Sequence, residues 1–155
     1  MLTTTFTALI AVVASFAAAL PSPAQADAPT RVEEPLSKRT DHYGLGTIYQ
    51  QLGGYGSCGI QNPDSALIAA LGNYWMKNQY QSEYCGRLIQ VTNTGSDDGV
   101  GGKGNTVVVK VQDTCPSCDE NHIDFSVGAW NQLTNNAAWG TVNIEWHFCN
   151  VNGQC

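Results

Sequence analysis

Between Val107 and Leu133 the chain sets out a strand, a cysteine turn, a second strand and a helix start with almost no spare residues. Val107-Val108-Val109-Lys110-Val111 has strand chemistry, because β-branched side chains suit a pleated surface. The run ends at Asp113 and enters the turn Cys115-Pro116-Ser117-Cys118. Ile123-Asp124-Phe125 can form a second short extended piece, and Ser126 is a natural N-cap for a helix through Val127–Leu133. Asp113 and Asp124 therefore stand at the ends of short rigid elements, which is where a scaffold carries a site.

The 155 residues give room for one domain. Thr3 to Leu20 is apolar and small, and its strongest part, Phe6 to Leu20, is short against the roughly 20 residues of a membrane span. Ala24-Gln25-Ala26 fits a small-residue cleavage site, so residues 1–26 read as a signal peptide. Residues 27–39 are polar, contain Pro29 and Pro35, and end in Lys38-Arg39; they read as a propeptide or linker. Residues 40–155 then form the mature domain. It keeps four basic residues (Lys77, Arg87, Lys103, Lys110) against ten acidic ones, and 4 − 10 reproduces the net charge of −6. That balance argues against a nucleic acid or an anionic membrane as partner.

All six cysteines, Cys58, Cys85, Cys115, Cys118, Cys149 and Cys155, lie in the mature part. An even number behind a signal peptide reads as disulfides, but residue spacing alone does not choose among the pairings. Cys115-x-x-Cys118 with His122 could hold zinc or act as a redox pair. There is no second spare Cys/His pair, and oxidised cysteines do not ligate zinc, so neither a metal nor a cofactor is expected. Gly54-x-Gly56-x-x-Gly59 and Gly99-x-Gly101-x-x-Gly104 match the dinucleotide pattern, yet neither sits in a strand–turn–helix unit, and both read as loops. His42, His122 and His147 are scattered and read as surface or turn residues.

The remaining elements are short. Leu45–Gln51 and Leu88–Thr92 are strand candidates, and Gly95–Asn105 reads as a mobile turn rich in Gly and Asp. Ala66–Leu71 is ambiguous, because Asn62-Pro63-Asp64 looks like a helix start. Thr141–Phe148 alternates, with Val142, Ile144, Trp146 and Phe148 on one face, as a half-buried final strand does. Trp130 and Trp146 lie on core faces; Tyr55, Tyr74 and Trp75 sit near loops and are candidate aromatic contacts to a ligand. Many short strands and one clear helix point to an all-β chain closed into a small barrel.

Five segments occur in order: Gly46-Thr47-Ile48-Tyr49, Gly56-Ser57-Cys58-Gly59, Cys85-Gly86-Arg87-Leu88-Ile89-Gln90-Val91, Val109 to Cys118, and His122-Ile123-Asp124-Phe125-Ser126. Together they resemble the double-psi β-barrel superfamily of barwin, expansin first domains, rare lipoprotein A and the barrel endoglucanases. Within it they are most similar to small secreted papain-inhibitor-like and fungal expansin-like members, the latter labelled riboflavin-aldehyde-forming. The resemblance covers roughly Tyr43 to Phe148. It implies a six-stranded, disulfide-stapled double-psi barrel with one or two short helices, and it makes Ala66–Leu71 a strand. It also implies the pairs Cys58–Cys85 and Cys115–Cys118, which leave Cys149 with Cys155.

The resemblance further implies a groove carrying Asp113 and Asp124 beside Tyr49. In the barrel endoglucanases the Asp124-like residue is a general acid, and the base is an Asp near the end of the first strand. Here that neighbourhood is Tyr49-Gln50-Gln51, and an amide cannot take a proton from water. In rare lipoprotein A a His of the second strand partners the Asp113-like residue; here Ala70-Leu71 takes its place. No catalytic residue is therefore assigned. The expected function is a secreted, monomeric, non-hydrolytic barrel that binds extracellular or cell-wall polysaccharide through Tyr49, Asp113 and Asp124, with an effector role open to it. Two alternatives are an inhibitor that binds a secreted cysteine protease and a weak glycan-cleaving enzyme.

Intact-mass analysis of the secreted product is expected to place its first residue at Thr40, and thiol titration to find no free cysteine. A product that keeps residues 27–39, or two titratable thiols, would overturn the corresponding half.

Overall fold

The computed structural model describes residues 39–155, so the expected signal peptide and all of the propeptide except Arg39 lie outside the described residues. Six strands and two short helices follow in order: β1 (His42–Tyr49), β2 (Ile68–Gly72), α1 (Asn73–Met76), β3 (Leu88–Gly95), β4 (Thr106–Cys115), β5 (Ile123–Ser126), α2 (Val127–Thr134) and β6 (Val142–Phe148). The strands close into one ring in the order β1-β5-β2-β4-β3-β6. Closure gives every strand two neighbours and leaves no edge for another chain to extend.

The ring closes at β1. His42–Gly46 pairs antiparallel with β6, and Gly46–Tyr49 pairs parallel with β5. Partner exchange happens at Gly46, where a β-carbon would lie 2.7 Å from the Phe125 ring and 3.0 Å from Val142. The strand begins earlier than the expected Leu45 because its first half pairs with β6, and Asp41 just before it meets His147 of β6 at 3.2 Å. β3 likewise runs past Thr92, because Asn93 and Gly95 pair with β6 across a bulge.

Alternation builds the core. Val107, Val109 and Val111 point inward with Ile89, Val91, Ile123, Phe125, Val142, Ile144 and Trp146, while Val108 and Lys110 face out. Helix α2 covers one side of the barrel with Ala129, Trp130 and Leu133, all buried. Its cap is the expected one: the Ser126 hydroxyl accepts from Ala129 N at 3.3 Å. Trp146 stacks on His42 at 4.3 Å, and its indole N–H donates to Asn121 O at 3.1 Å.

Two segments take their form from contacts made far away in the chain. The helix signal at Asn62-Pro63-Asp64 forms no helix, because the Asp64 carboxylate is used elsewhere. Its Oδ1 accepts from Gln51 N at 2.6 Å, and its backbone carbonyl accepts from Gly128 N at 2.8 Å. The segment runs on into strand β2, as the resemblance implied. Gly95–Asn105 is held at several points. Asn93, buried beneath it, donates through Nδ2 to Gly101 O at 2.9 Å and Leu133 O at 3.1 Å, and Gly104 N donates to Asn93 O at 2.8 Å.

Three disulfides form, Cys58–Cys85, Cys115–Cys118 and Cys149–Cys155, in the pairing that the resemblance implied. Cys58–Cys85 spans 27 residues of sequence and ties the loop after β1 to the start of β3. Replacing both of its cysteines by serine should cost about 3 kcal/mol, chiefly by freeing the unfolded chain. Equilibrium denaturation of the double variant measures this, and a loss well under 1 kcal/mol would mean that the barrel does not depend on the bridge.

Candidate functional site

Strict alternation from Val107, Val109 and Val111 would aim Asp113 into the barrel. A register shift prevents this: Ala69 pairs with Val111, but Ala70 pairs with Asp113, so Gln112 is skipped. Such a bulge re-aims the side chains beyond it. Gln112 O accepts from Cys58 N at 3.3 Å, and Asp113 turns to the face that Ala70 occupies. On its other side Ala70 pairs with Asp124 of β5, whose neighbours Ile123 and Phe125 fill the core. The two aspartates thus flank one alanine. Their backbones are two strand spacings apart, about 10 Å.

Ala70 packs with the Cys115–Cys118 bridge, and Tyr49 lies against both. The structure therefore brings together the three groove residues expected from the sequence. Tyr49 is half-buried, its hydroxyl is shielded from solvent, and that hydroxyl has no hydrogen-bond partner. Burial pushes its phenol well above the usual range, and Asp113, Asp124 and Asp64 push the same way.

Each aspartate has its own holder. Asp113 Oδ1 accepts from Ser57 N and Thr114 N, both at 2.8 Å, and Gln51 Nε2 lies 3.4 Å from Oδ2. Asp124 Oδ1 accepts the Thr47 hydroxyl at 2.6 Å, across the parallel β1–β5 pair. His122 Nε2 is 2.9 Å from the same hydroxyl. The single hydroxyl proton goes to the carboxylate, so Nε2 must carry a hydrogen for this second bond to form. Asp124 makes no bond to the α2 N-terminus, where Ser126 Oγ accepts from Ala129 N and Asp64 O from Gly128 N. Burial raises the Asp124 carboxyl above the ordinary value, and Asp113 adds to the rise. The Thr47 bond and His122 act against it.

Thr47, Gln51, Ser57, Asp64 and His122 belong to this site without having been marked as site residues. Thr47 had a signal, since it lies two residues before Tyr49 on the same strand face. His122 and Asp64 had none, because their contacts join segments far apart in sequence.

The candidate aromatics divide. Tyr55 and Tyr74 are exposed. Trp75 is half-buried instead: its indole N–H donates to Glu120 O at 2.6 Å, and its ring meets His42, Tyr84, Trp146 and Phe148 edge-on. Its faces are committed to packing, which a residue placed by sequence beside a loop could not reveal. Among the described residues no group of three or more His, Cys, Asp or Glu is arranged to hold a metal, and no helix is long and apolar enough to cross a membrane.

A model of the family described as lytic transglycolase matches residues 68–146, from β2 through most of β6 and just over half of the chain. The chain belongs to this double-psi β-barrel family. The papain inhibitor of Streptomyces mobaraensis is 35% identical over 98 residues, which make up 61% of this chain and 63% of that protein. The chain thus spans less than two thirds of that relative's length. The solved structure of the Streptomyces papain inhibitor superposes with a TM-score of 0.55 at 29% identity, covering 72% of this chain and 96% of that one. A Clavibacter michiganensis expansin gives 0.55 at 26% identity, covering 72% and 52%. A mutant of that expansin holding cellohexaose gives 0.51 at 22% identity, covering 72% and 51%, which is a likeness of fold.

The raised Asp124 carboxyl has a consequence for stability. Between the ordinary value of 3.8 and its own, the folded state binds more protons than the unfolded one, so stability falls as pH rises through that window. Asp124→Asn removes the penalty and keeps an acceptor for Thr47. The variant should melt at or above wild type at pH 7, and its advantage should vanish below pH 3.8. A wild type that is clearly the more stable at pH 7 would show that the charge holds the fold together.

Proposed function

We propose that the face over Ala70 binds extracellular polysaccharide without cleaving it. The observation that carries this reading is the placement of Asp113 and Asp124 on either side of Ala70, with a threonine, a tyrosine and a glutamine around them. Asp124 has Oδ1 engaged by Thr47 and no protein donor on Oδ2, while Asp113 has Oδ1 filled by Ser57 and Thr114 and only the long Gln51 contact on Oδ2, so each second oxygen keeps a lone pair for a sugar hydroxyl. The alanine between the two acids supplies no proton-transfer group. Gln51 offers Asp113 an amide hydrogen where related hydrolases would place a base. A glycan-cleaving reaction would rest on Asp124 alone, so cleavage is not the reading proposed. The three disulfides suit an oxidising, extracellular setting. The acidic balance around the site disfavours polyanionic glycans as ligands.

A second reading is supported by a separate observation, the 35% identity to a papain inhibitor. In it the chain binds a cysteine protease through its loops rather than its groove.

Pull-downs on cellulose, chitin and isolated cell walls test the first reading. Asp113→Asn and Asp124→Asn should each weaken binding roughly 10-fold to 100-fold, the worth of a charge-assisted hydrogen bond. The same protein should release no reducing sugar from β-glucans and no muropeptides from peptidoglycan. Hydrolysis that Asp124→Asn abolishes would falsify the non-cleaving proposal, and binding unchanged in both variants would remove the groove from it.

A further inference from the structure

The turn after β1 contains a residue that its conformation does not favour and its burial does not explain. Gly54 N donates to Gln51 O at 2.8 Å, and the two residues between them, Leu52 and Gly53, have φ of +50° and +74°. Two successive positive φ values inside such a bond are the pattern of a type I′ turn, whose first central position favours Asn, Asp or Gly. A bulky leucine there is an outlier. Leu52 is also 78% exposed, so hydrophobic burial in this chain does not offset the strain. Strain of this kind persists where the surroundings over-determine it, and it gathers at binding sites.

The surroundings do over-determine it. Gln51 N donates to Asp64 Oδ1 at 2.6 Å, and Leu52 N to the same atom at 3.4 Å. The Gln61 amide donates to Gly53 O, Tyr55 bridges to Gln61, and Gly56 N donates to Ile60 O at 3.1 Å. Cys58–Cys85 anchors the end of the loop, and Gln81 N donates to Ser57 O at 2.9 Å, which fastens the neighbouring loop to it. The two loops carry further exposed apolar side chains, Tyr55 and Ile60 on the first and Tyr80 on the second.

The chemistry of the tip selects the partner. A branched aliphatic side chain offers a sugar neither a hydrogen bond nor a ring face. It fits an apolar pocket in a protein. Gly53 and Gly54 carry no side chains, so the backbone beside Leu52 can pass into a narrow cleft. A loop already fixed in shape loses little freedom on binding.

We propose that the Gln51–Gly54 turn is the tip that enters the substrate cleft of a papain-type cysteine protease, with Leu52 filling an apolar subsite. The proposal rests on the second reading above and assigns it to one turn. Tyr55 and Ile60, which follow in the same loop, then meet the rim of the cleft.

The test uses the full secreted protein, papain, and two variants. Leu52→Asn suits the turn better and removes the aliphatic group. It should melt at or above wild type yet inhibit papain at least tenfold more weakly. Val151→Ser, at a still more exposed apolar position on the C-terminal loop, should inhibit as wild type does. Equal inhibition by wild type and Leu52→Asn would overturn the assignment to this turn and leave the inhibitor reading standing. A wild type that does not inhibit papain would overturn both. A clearly lowered melting temperature for Leu52→Asn would show that Leu52 serves the fold, which overturns the proposal as well.

Discussion

Strand β2 is hydrogen-bonded to β4 in parallel and to β5 in antiparallel fashion, and the geometry of the site follows from that double pairing. Every residue of β2 is buried, so the strand cannot shift without moving the core. Its outward position, Ala70, is thereby fixed between Asp113 and Asp124. The register shift opposite Gln112 completes the arrangement. Without it Asp113 would face the apolar interior, where a carboxylate is not tolerated unpaired. One extra residue in β4 thus turns a core position into a site position.

The parallel β1–β5 pair adds the next layer. It sets Thr47 opposite Asp124, so that one hydroxyl joins His122 to the carboxylate. Asp124 stays partly buried and its carboxyl is raised, which means that the folded chain carries its charge at a cost. A position kept for stability alone would do better with a neutral acceptor. The same reasoning applies to Leu52, where backbone strain and exposure meet in one residue. Both are places where local preference is overridden, and such places gather at functional surfaces. The two surfaces adjoin, since Ser57 in the loop that follows Leu52 donates its backbone N–H to Asp113.

Much of this was legible in the sequence, for physical reasons that can be named. The valine run, the alternation from Val142 to Trp146 and the Ser126 cap each encode their element locally, because pleat and cap geometry depend on neighbours in sequence. The resemblance carried by the ordered motifs implied that Tyr49, Asp113 and Asp124 lie together, and the register of β2 sets the two aspartates on either side of Ala70. The local signal misled at Asn62-Pro63-Asp64, because the carboxylate that could cap a helix there caps the turn at Gln51 and Leu52 instead.

The sequence by itself determined the strand content, the buried faces and the capped helix, since each depends on residue type and period, and its resemblance to a family singled out two aspartates as candidates. The tertiary structure decided where those acids point and what they touch. Asp113 is turned outward by a bulge that no residue of β4 announces, and Asp124 meets Thr47 and His122 only because β1 lies parallel to β5. Trp75 is spent on packing rather than left free, and Leu52 takes a left-handed turn that its side chain disfavours. These outcomes depend on hydrogen-bond register between strands far apart in the chain, and register is a property of the closed ring.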